Sequence, residues 1–288
     1  MALIRRIALA ALALAAVLPA QAMAQAASCS APATVDRPKA EGPSKAEPRR
    51  LLPIGSYTLA LSWSPQFCST ARGPVHAFQC GGKSARFGFI LHGLWPDGVG
   101  PTWPQYCRSA DILPRAVIRD NLCMTPSAQL LQNEWARHGT CMATKPELYF
   151  NLGRAFYASI RYPDMNALSR RPTLTVAQFA EAFAKVNRTI KPHMLRVTTT
   201  RGNWLSELWI CLDKQMDFAR CPANKRGANP ASLLRIEPGP VMPRAGPAAR
   251  PARAAPAPGK PRIEPARRPG LRLDLDPKVQ PLPGDGAR

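Results

Sequence analysis

The sequence predicts an α+β fold with a mostly antiparallel central sheet. Two strand-like segments come first, three helix-like segments occupy the middle, and two more strand-like segments close the pattern. That order favours helices packed on a sheet of hairpins over a parallel βαβ sheet. No internal repeat breaks it.

Each element has its own signal. "SYTLALSW" (Ser56–Trp63) alternates apolar and polar residues, as a half-buried strand does. "RFGFILHG" (Arg86–Gly93) is mostly apolar, as a buried strand would be, with His92 placed at its end where the chain turns into a loop. "PSAQLLQNEWARHG" reads as a helix capped by Ser127 and ended by Gly139. "PELYFNLGRAFYASI" carries Pro146 in its first turn. "TVAQFAEAFAKVN" starts with Thr175 and Gln178 at capping-box spacing. "MLRVTTT" and "LSELWICLDK" read as a closing hairpin.

These elements lie in one domain, 55–235, large enough to bury a core. Residues 1–24 read as a secretory signal. Arg5 and Arg6 supply the positive start, Ile7 to Leu18 the apolar run, and Ala22-Met23-Ala24 the cleavage site. That run is too short to span a bilayer, and no later stretch comes close. Residues 25–54, rich in Pro, Ala, Lys and Arg over most of their length, are expected to form a flexible lead-in. Residues 236–288 hold too many prolines and too few large apolar residues for a packed core, and are expected to be a disordered basic tail.

Export places the eight cysteines in an oxidising compartment, periplasmic or extracellular. An even count without any Cys-x-x-Cys favours disulfides over a metal site. Cys68 with Cys80, and Cys211 with Cys221, are near enough in sequence to close small loops. A lipidated Cys29 is the alternative use of that residue, but Ala26-Ala27-Ser28 before it lacks a large aliphatic side chain. The net charge is +21, with 39 Lys and Arg against 18 Asp and Glu. Such a balance points to a polyanionic partner, although a charged surface without a partner, or the basic tail, also accounts for part of it.

Chemistry concentrates in two stretches, "FILHGLWPDG" (Phe89–Gly98) and "NEWARHGTC" (Asn133–Cys141). On a helix, Glu134, Arg137 and His138 fall at i, i+3 and i+4 and share a face. Two histidines and a guanidinium suit cleavage of RNA, which carries its own 2′-hydroxyl nucleophile. One imidazole removes that proton and the other protonates the departing 5′-oxygen, both near neutral pH. A guanidinium can hold two oxygens of the crowded phosphorus. Taken singly, each residue has a plainer use: a lone histidine is usually structural, a Glu–Arg pair at this spacing is usually a solvated ion pair, and Trp135 suits the core.

The two stretches resemble the signature segments of the ribonuclease T2 family, Ile/Leu-His-Gly-Leu-Trp-Pro and His-Glu-Trp-x-Lys-His-Gly-Thr-Cys, and the likeness extends over about 55–225. It implies a metal-independent endoribonuclease without cofactor, cleaving single-stranded RNA through a 2′,3′-cyclic phosphate. A monomer is expected, and DNA, which lacks the nucleophile, should be spared. By motif position His92 matches the general acid, His138 the general base, and Glu134 the glutamate that assists at the phosphate. Trp95 matches a base-stacking tryptophan, Asp97 an acidic base-site residue, and Trp103, less closely, a second stacking aromatic. The sequence departs twice: Arg137 stands where the family has lysine, and Asn133 where many members have a third histidine. Activity retained but slowed is the expectation. A basic RNA- or polyanion-binding protein that has lost catalysis on the same fold is the alternative. The resemblance also implies Cys68–Cys80, Cys107–Cys141 and Cys211–Cys221. Cys29 and Cys123 are left over, and pairing them rests on elimination alone. His76 and His193 match no motif.

Overall fold

Alternation along the first strand decides which side of the sheet becomes core. The computed structural model describes residues 29–240. The signal segment 1–24 and the tail beyond 240 lie outside the described residues. Strand β1 (Ile54–Trp63) turns Tyr57, Leu59, Leu61 and Trp63 into the main hydrophobic core. Thr58, Ala60 and Ser62 face the other way. Helix α1 (Ser64–Thr70) and the short α2 (Ala77–Cys80) follow, joined by the Cys68–Cys80 disulfide. Strand β2 (Phe89–Gly98) returns antiparallel to β1. The closing hairpin is β3 (Leu195–Thr199) and β4 (Leu205–Leu212), and β4 pairs with the other edge of β1. The four-stranded sheet runs β2-β1-β4-β3 with antiparallel neighbours.

Strand β2 extends past Gly93, the expected end, through Gly98. His92 is therefore inside the strand and not at its tip. Ala60 faces Gly93 while Leu61 faces Leu91, so His92 is an extra residue opposite the β1 backbone. Such a bulge resets the alternation. Without it, His92 and Trp95, three residues apart, would point to opposite faces. With it, His92, Trp95 and Asp97 share the face of Thr58 and Ser62, while Leu91 and Leu94 remain in the core.

The helices between the hairpins are α3 (Arg115–Asn121), α4 (Ala128–Arg137), α5 (Pro146–Ser159), α6 (Met165–Ser169) and α7 (Val176–Val186). Ser127 caps α4, its hydroxyl accepting from the Leu130 amide at 3.2 Å. The Thr175/Gln178 capping box opens α7. Helix α4 ends at Arg137, with His138 as its C-cap residue. Gly139 starts a single 3-10 turn and serves packing, since a Cβ there would lie 3.0 Å from the Tyr149 ring and collide with Trp135. Tyr149 and Tyr157 of α5 tie that helix to β2 through the Leu94 and Phe89 carbonyls, at 3.2 and 2.7 Å.

The boundaries of the packed chain differ from those expected. The lead-in crosses the domain surface in contact with it. Arg50 exchanges two backbone hydrogen bonds with Gln105, each 3.0 Å, and the Lys39 amide donates to Gln129 at 2.8 Å. Cys29 is paired with Cys123, which leaves no thiol for a lipid. At the other end, packing continues beyond 235. Leu234 and Ile236 are buried, and the Trp63 indole donates to the Glu237 carbonyl at 2.9 Å. The remaining disulfides are Cys107–Cys141 and Cys211–Cys221. The latter does not bridge the hairpin strands. It ties β4 to the loop after it, where the Cys221 amide reaches the His193 carbonyl. Among the described residues no helix is long and apolar enough to cross a membrane.

Candidate active site

The non-core face of β1, β2 and β4, with the last turn of α4, walls a cavity of about 720 Å³. His92, Trp95, Asp97, Trp103, Asn133, Glu134, Arg137 and His138 all line it. The structure thus brings together every catalytic and substrate-binding residue that the sequence pointed to. His76 and His193 are not among the lining residues.

Glu134 enters from α4 and is buried at 3 % exposure. It can reach the sheet because position 93 is glycine. A Cβ there would collide with the Glu134 carboxylate and lie 2.6 Å from the Trp95 indole nitrogen. The Trp95 Nε1–H donates to Glu134 Oε2 at 2.7 Å, and Glu134 Oε1 lies 3.6 Å from His92 Nε2. Burial pushes the Glu134 carboxyl up to about 7, against the opposing pull of His92, Trp95 and Arg137. The plainer use, a solvated Glu134–Arg137 pair, does not hold, because Glu134 is inside and Arg137 pairs with Glu47.

The two histidines are driven apart. Burial works to lower His92, but its hydrogen bond to Glu207 and the charges of Glu134 and Glu207 outweigh that, and its pKa is raised. His138 is lowered well below the ordinary imidazole value, first by burial and then by Arg137, His92, Arg50 and Lys225. Its buried Nδ1 has no hydrogen-bond partner among the described residues. One imidazole is thus biased toward the charged acid and the other toward the neutral base.

Arg137 is fixed by groups the sequence did not associate with it. Its Nη1 lies 2.7 Å from Glu47 of the lead-in, and its Nε donates to Gln105 at 3.2 Å. Tyr106 donates its amide to the Arg137 carbonyl at 2.9 Å and its hydroxyl to Glu47 at 3.2 Å. Trp103 is 38 % exposed, with the Arg50 guanidinium 4.9 Å above its ring. Asp97 accepts from Lys225 at 2.5 Å and from the Thr58 hydroxyl at 2.6 Å.

Four contributors escaped the sequence reading: Glu47, Glu207, Trp209 and Lys225. Glu207 had a detectable signal, as the lone charged residue within a mostly apolar strand. Its Oε1 lies 2.5 Å from His92 Nδ1. Glu47 and Lys225 had none, because both come from irregular segments, Lys225 to line the cavity and Glu47 to pair with Arg137.

Residues 54–221 match the ribonuclease T2 family. The chain belongs to that family. A probable ribonuclease of Haemophilus influenzae is 29% identical over 181 residues, a match spanning 59% of this chain and 61% of that protein. The chain therefore covers less than two thirds of that relative. A ribonuclease of Aeromonas hydrophila is 29% identical over 161 residues, spanning 55% of this chain and 72% of that protein. Among solved structures, the RNase-related protein from Calystegia sepium superposes with a TM-score of 0.52 at 23% identity, over 64% of this chain and 97% of that one. RNase NT, solved in complex with 5′-AMP, gives 0.51 at 23% identity, over 65% and 99%. At such identities these two show the fold, which is ribonuclease T2-like. Within it, this family member carries Arg137 and Asn133 in the cavity wall.

Proposed function

We propose that this family member is a metal-independent endoribonuclease that cleaves single-stranded RNA by transesterification. What carries the reading is one cavity holding two histidines whose surroundings bias them in opposite directions, His92 toward the cation and His138 toward the neutral ring.

The chemistry follows from those states. Neutral His138 accepts the 2′-hydroxyl proton. The 2′-oxygen bonds to phosphorus as the bond to the 5′-oxygen breaks. His92 delivers its Nε2 proton to that 5′-oxygen. The products are a 2′,3′-cyclic phosphate and a free 5′-hydroxyl. Glu134, protonated for much of the time near neutrality, can donate to a non-bridging phosphoryl oxygen. Arg137 supplies the permanent positive charge that the family's lysine supplies elsewhere. Trp95, Trp103 and Trp209 offer aromatic surfaces along the cavity for bases. DNA lacks the nucleophile and should survive.

We further propose that the protein is exported to the periplasm or beyond and acts as a monomer, with 1–24 as the signal and the tail as an added RNA-attracting segment. Four disulfides favour an oxidising compartment. The deciding experiment incubates the protein with RNA and with DNA in excess chelator and analyses product ends. Cyclic-phosphate ends from RNA with intact DNA are expected. Equal degradation of both polymers, or a strict magnesium requirement, overturns the reading.

A further inference from the structure

Glu207 sits directly opposite Ser62 where β4 pairs with β1, on the face that forms the cavity floor. Its side chain is only 15 % exposed. Three donors hold it. The Ser62 hydroxyl donates to Oε1 at 2.7 Å, the Trp209 indole to Oε2 at 2.8 Å, and His92 Nδ1 approaches Oε1 at 2.5 Å. No Lys or Arg pairs with it among the described residues. Lys225, which lies over the Trp209 ring, is engaged by Asp97. A carboxylate buried without a basic partner and aimed at an imidazole is costly unless the imidazole is its counter-charge.

We infer that Glu207 is a positioning residue for the proton donor: it holds the His92 ring by Nδ1 so that Nε2–H faces the cavity, and keeps that ring charged until the proton leaves. The inference rests on the ribonuclease reading above and deepens it. The other charged groups near His92 come from α4: Glu134 at 3.6 Å from Nε2, with Arg137 opposing the positive charge, while His138 at the cap is held toward the neutral ring. Glu207 is the carboxylate on the Nδ1 side; the Ser62 hydroxyl also lies 3.3 Å from Nδ1 but gives its proton to Glu207, so the charge that fixes which nitrogen is turned inward is that of Glu207. Cleavage then balances as follows. The Nε2–H bond of His92 breaks as its proton passes to the 5′-oxygen, His138 takes the 2′-hydroxyl proton, and His92 remains as the neutral Nδ1–H form, still donating to Glu207.

Glu207→Gln keeps the acceptor and the shape but removes the charge. The test compares it with the parent on a dinucleoside phosphate and on the 4-nitrophenyl ester of the same nucleoside 3′-phosphate, whose leaving group needs little help from an acid. General acid catalysis contributes about 10²–10⁴-fold. Glu207→Gln should lose about 10²-fold on the dinucleoside phosphate and at least about tenfold less than that on the ester. The alkaline limb of kcat/KM should also move to lower pH. Nitrogen-15 NMR of the parent's histidines gives a readout independent of turnover. His92 Nδ1 should stay protonated across the neutral range, and an unprotonated Nδ1 overturns the inference. Equal losses on both substrates with an unmoved alkaline limb also overturn it. A parent that cleaves neither substrate overturns the ribonuclease reading, and this one with it.

Discussion

The Arg137 guanidinium is paired with Glu47 at 2.7 Å, so a lead-in residue reaches the cation expected to hold the scissile phosphate. Glu47 is 42 % exposed, and such pairs are worth about 0–1 kcal/mol. A phosphate bearing full charge can therefore displace it. Glu47→Gln should change kcat/KM on a dinucleotide by less than about fivefold. Arg137→Ala should lower kcat by about 10²–10³, the usual cost of losing one preorganised donor. Arg137→Lys should keep substantial activity. Steady-state kinetics on the three variants checks this, and an Arg137→Ala protein with near-parental kcat would make the arginine scaffolding.

Glu134 gives a stability signature with a definite sign. Its folded pKa is raised to about 7, above that of an unfolded carboxylate. Between those values the folded state binds the extra proton, so stability is fully present at low pH and is lost as pH rises through about 7. The loss is on the order of 3 kcal/mol. Glu134→Gln keeps an acceptor for Trp95 and removes the ionisation. Relative to the parent, its Tm should be higher near pH 8 than near pH 4.5. Melting curves at the two pH values decide it, and a constant difference between the proteins contradicts it.

Gly93 is the gap through which Glu134 reaches the sheet. Gly93→Ala places a methyl group against the Glu134 carboxylate and the Trp95 indole. Overpacking of this kind costs about 1–3 kcal/mol. Because the atoms displaced are those of the site, kcat should fall by more than the stability loss explains. Urea unfolding and single-turnover cleavage on the same preparation separate the two effects.

The C-terminal boundary can be tested by truncation. A chain ending at residue 240 should turn over a dinucleotide within about twofold of the full chain, because the cavity-lining residues all precede that point. Its affinity for long RNA should weaken, most visibly at low salt. A chain ending at 232 also loses Leu234 and Ile236, each 3 % exposed. Burial of such side chains is worth about 2–5 kcal/mol apiece, so that chain should melt much earlier. Equal melting temperatures would place the boundary at or before 232.

Local rules were enough for much of this protein. The capping signals at Ser127 and Thr175, the alternation in β1 and the hairpin of β3 and β4 are set by residues within a few positions of one another. The histidines, Glu134 and Arg137 could be picked out because each of the two motifs that carry them is contiguous. Tertiary structure alone decided how they face one another. The bulge at His92 depends on two β2 residues competing for one place opposite β1, which no alternation pattern along β2 reveals. Glu207 meets His92 across 115 residues of chain, and Lys225 meets Asp97 across 128. The displacement of His138 and Glu134 from their ordinary pKa values comes from burial, a property of the packed whole. The lead-in is the clearest divide: its composition describes a chain with little reason to fold by itself, while Cys29–Cys123 and the Arg50–Gln105 bridge supply that reason from elsewhere in the molecule.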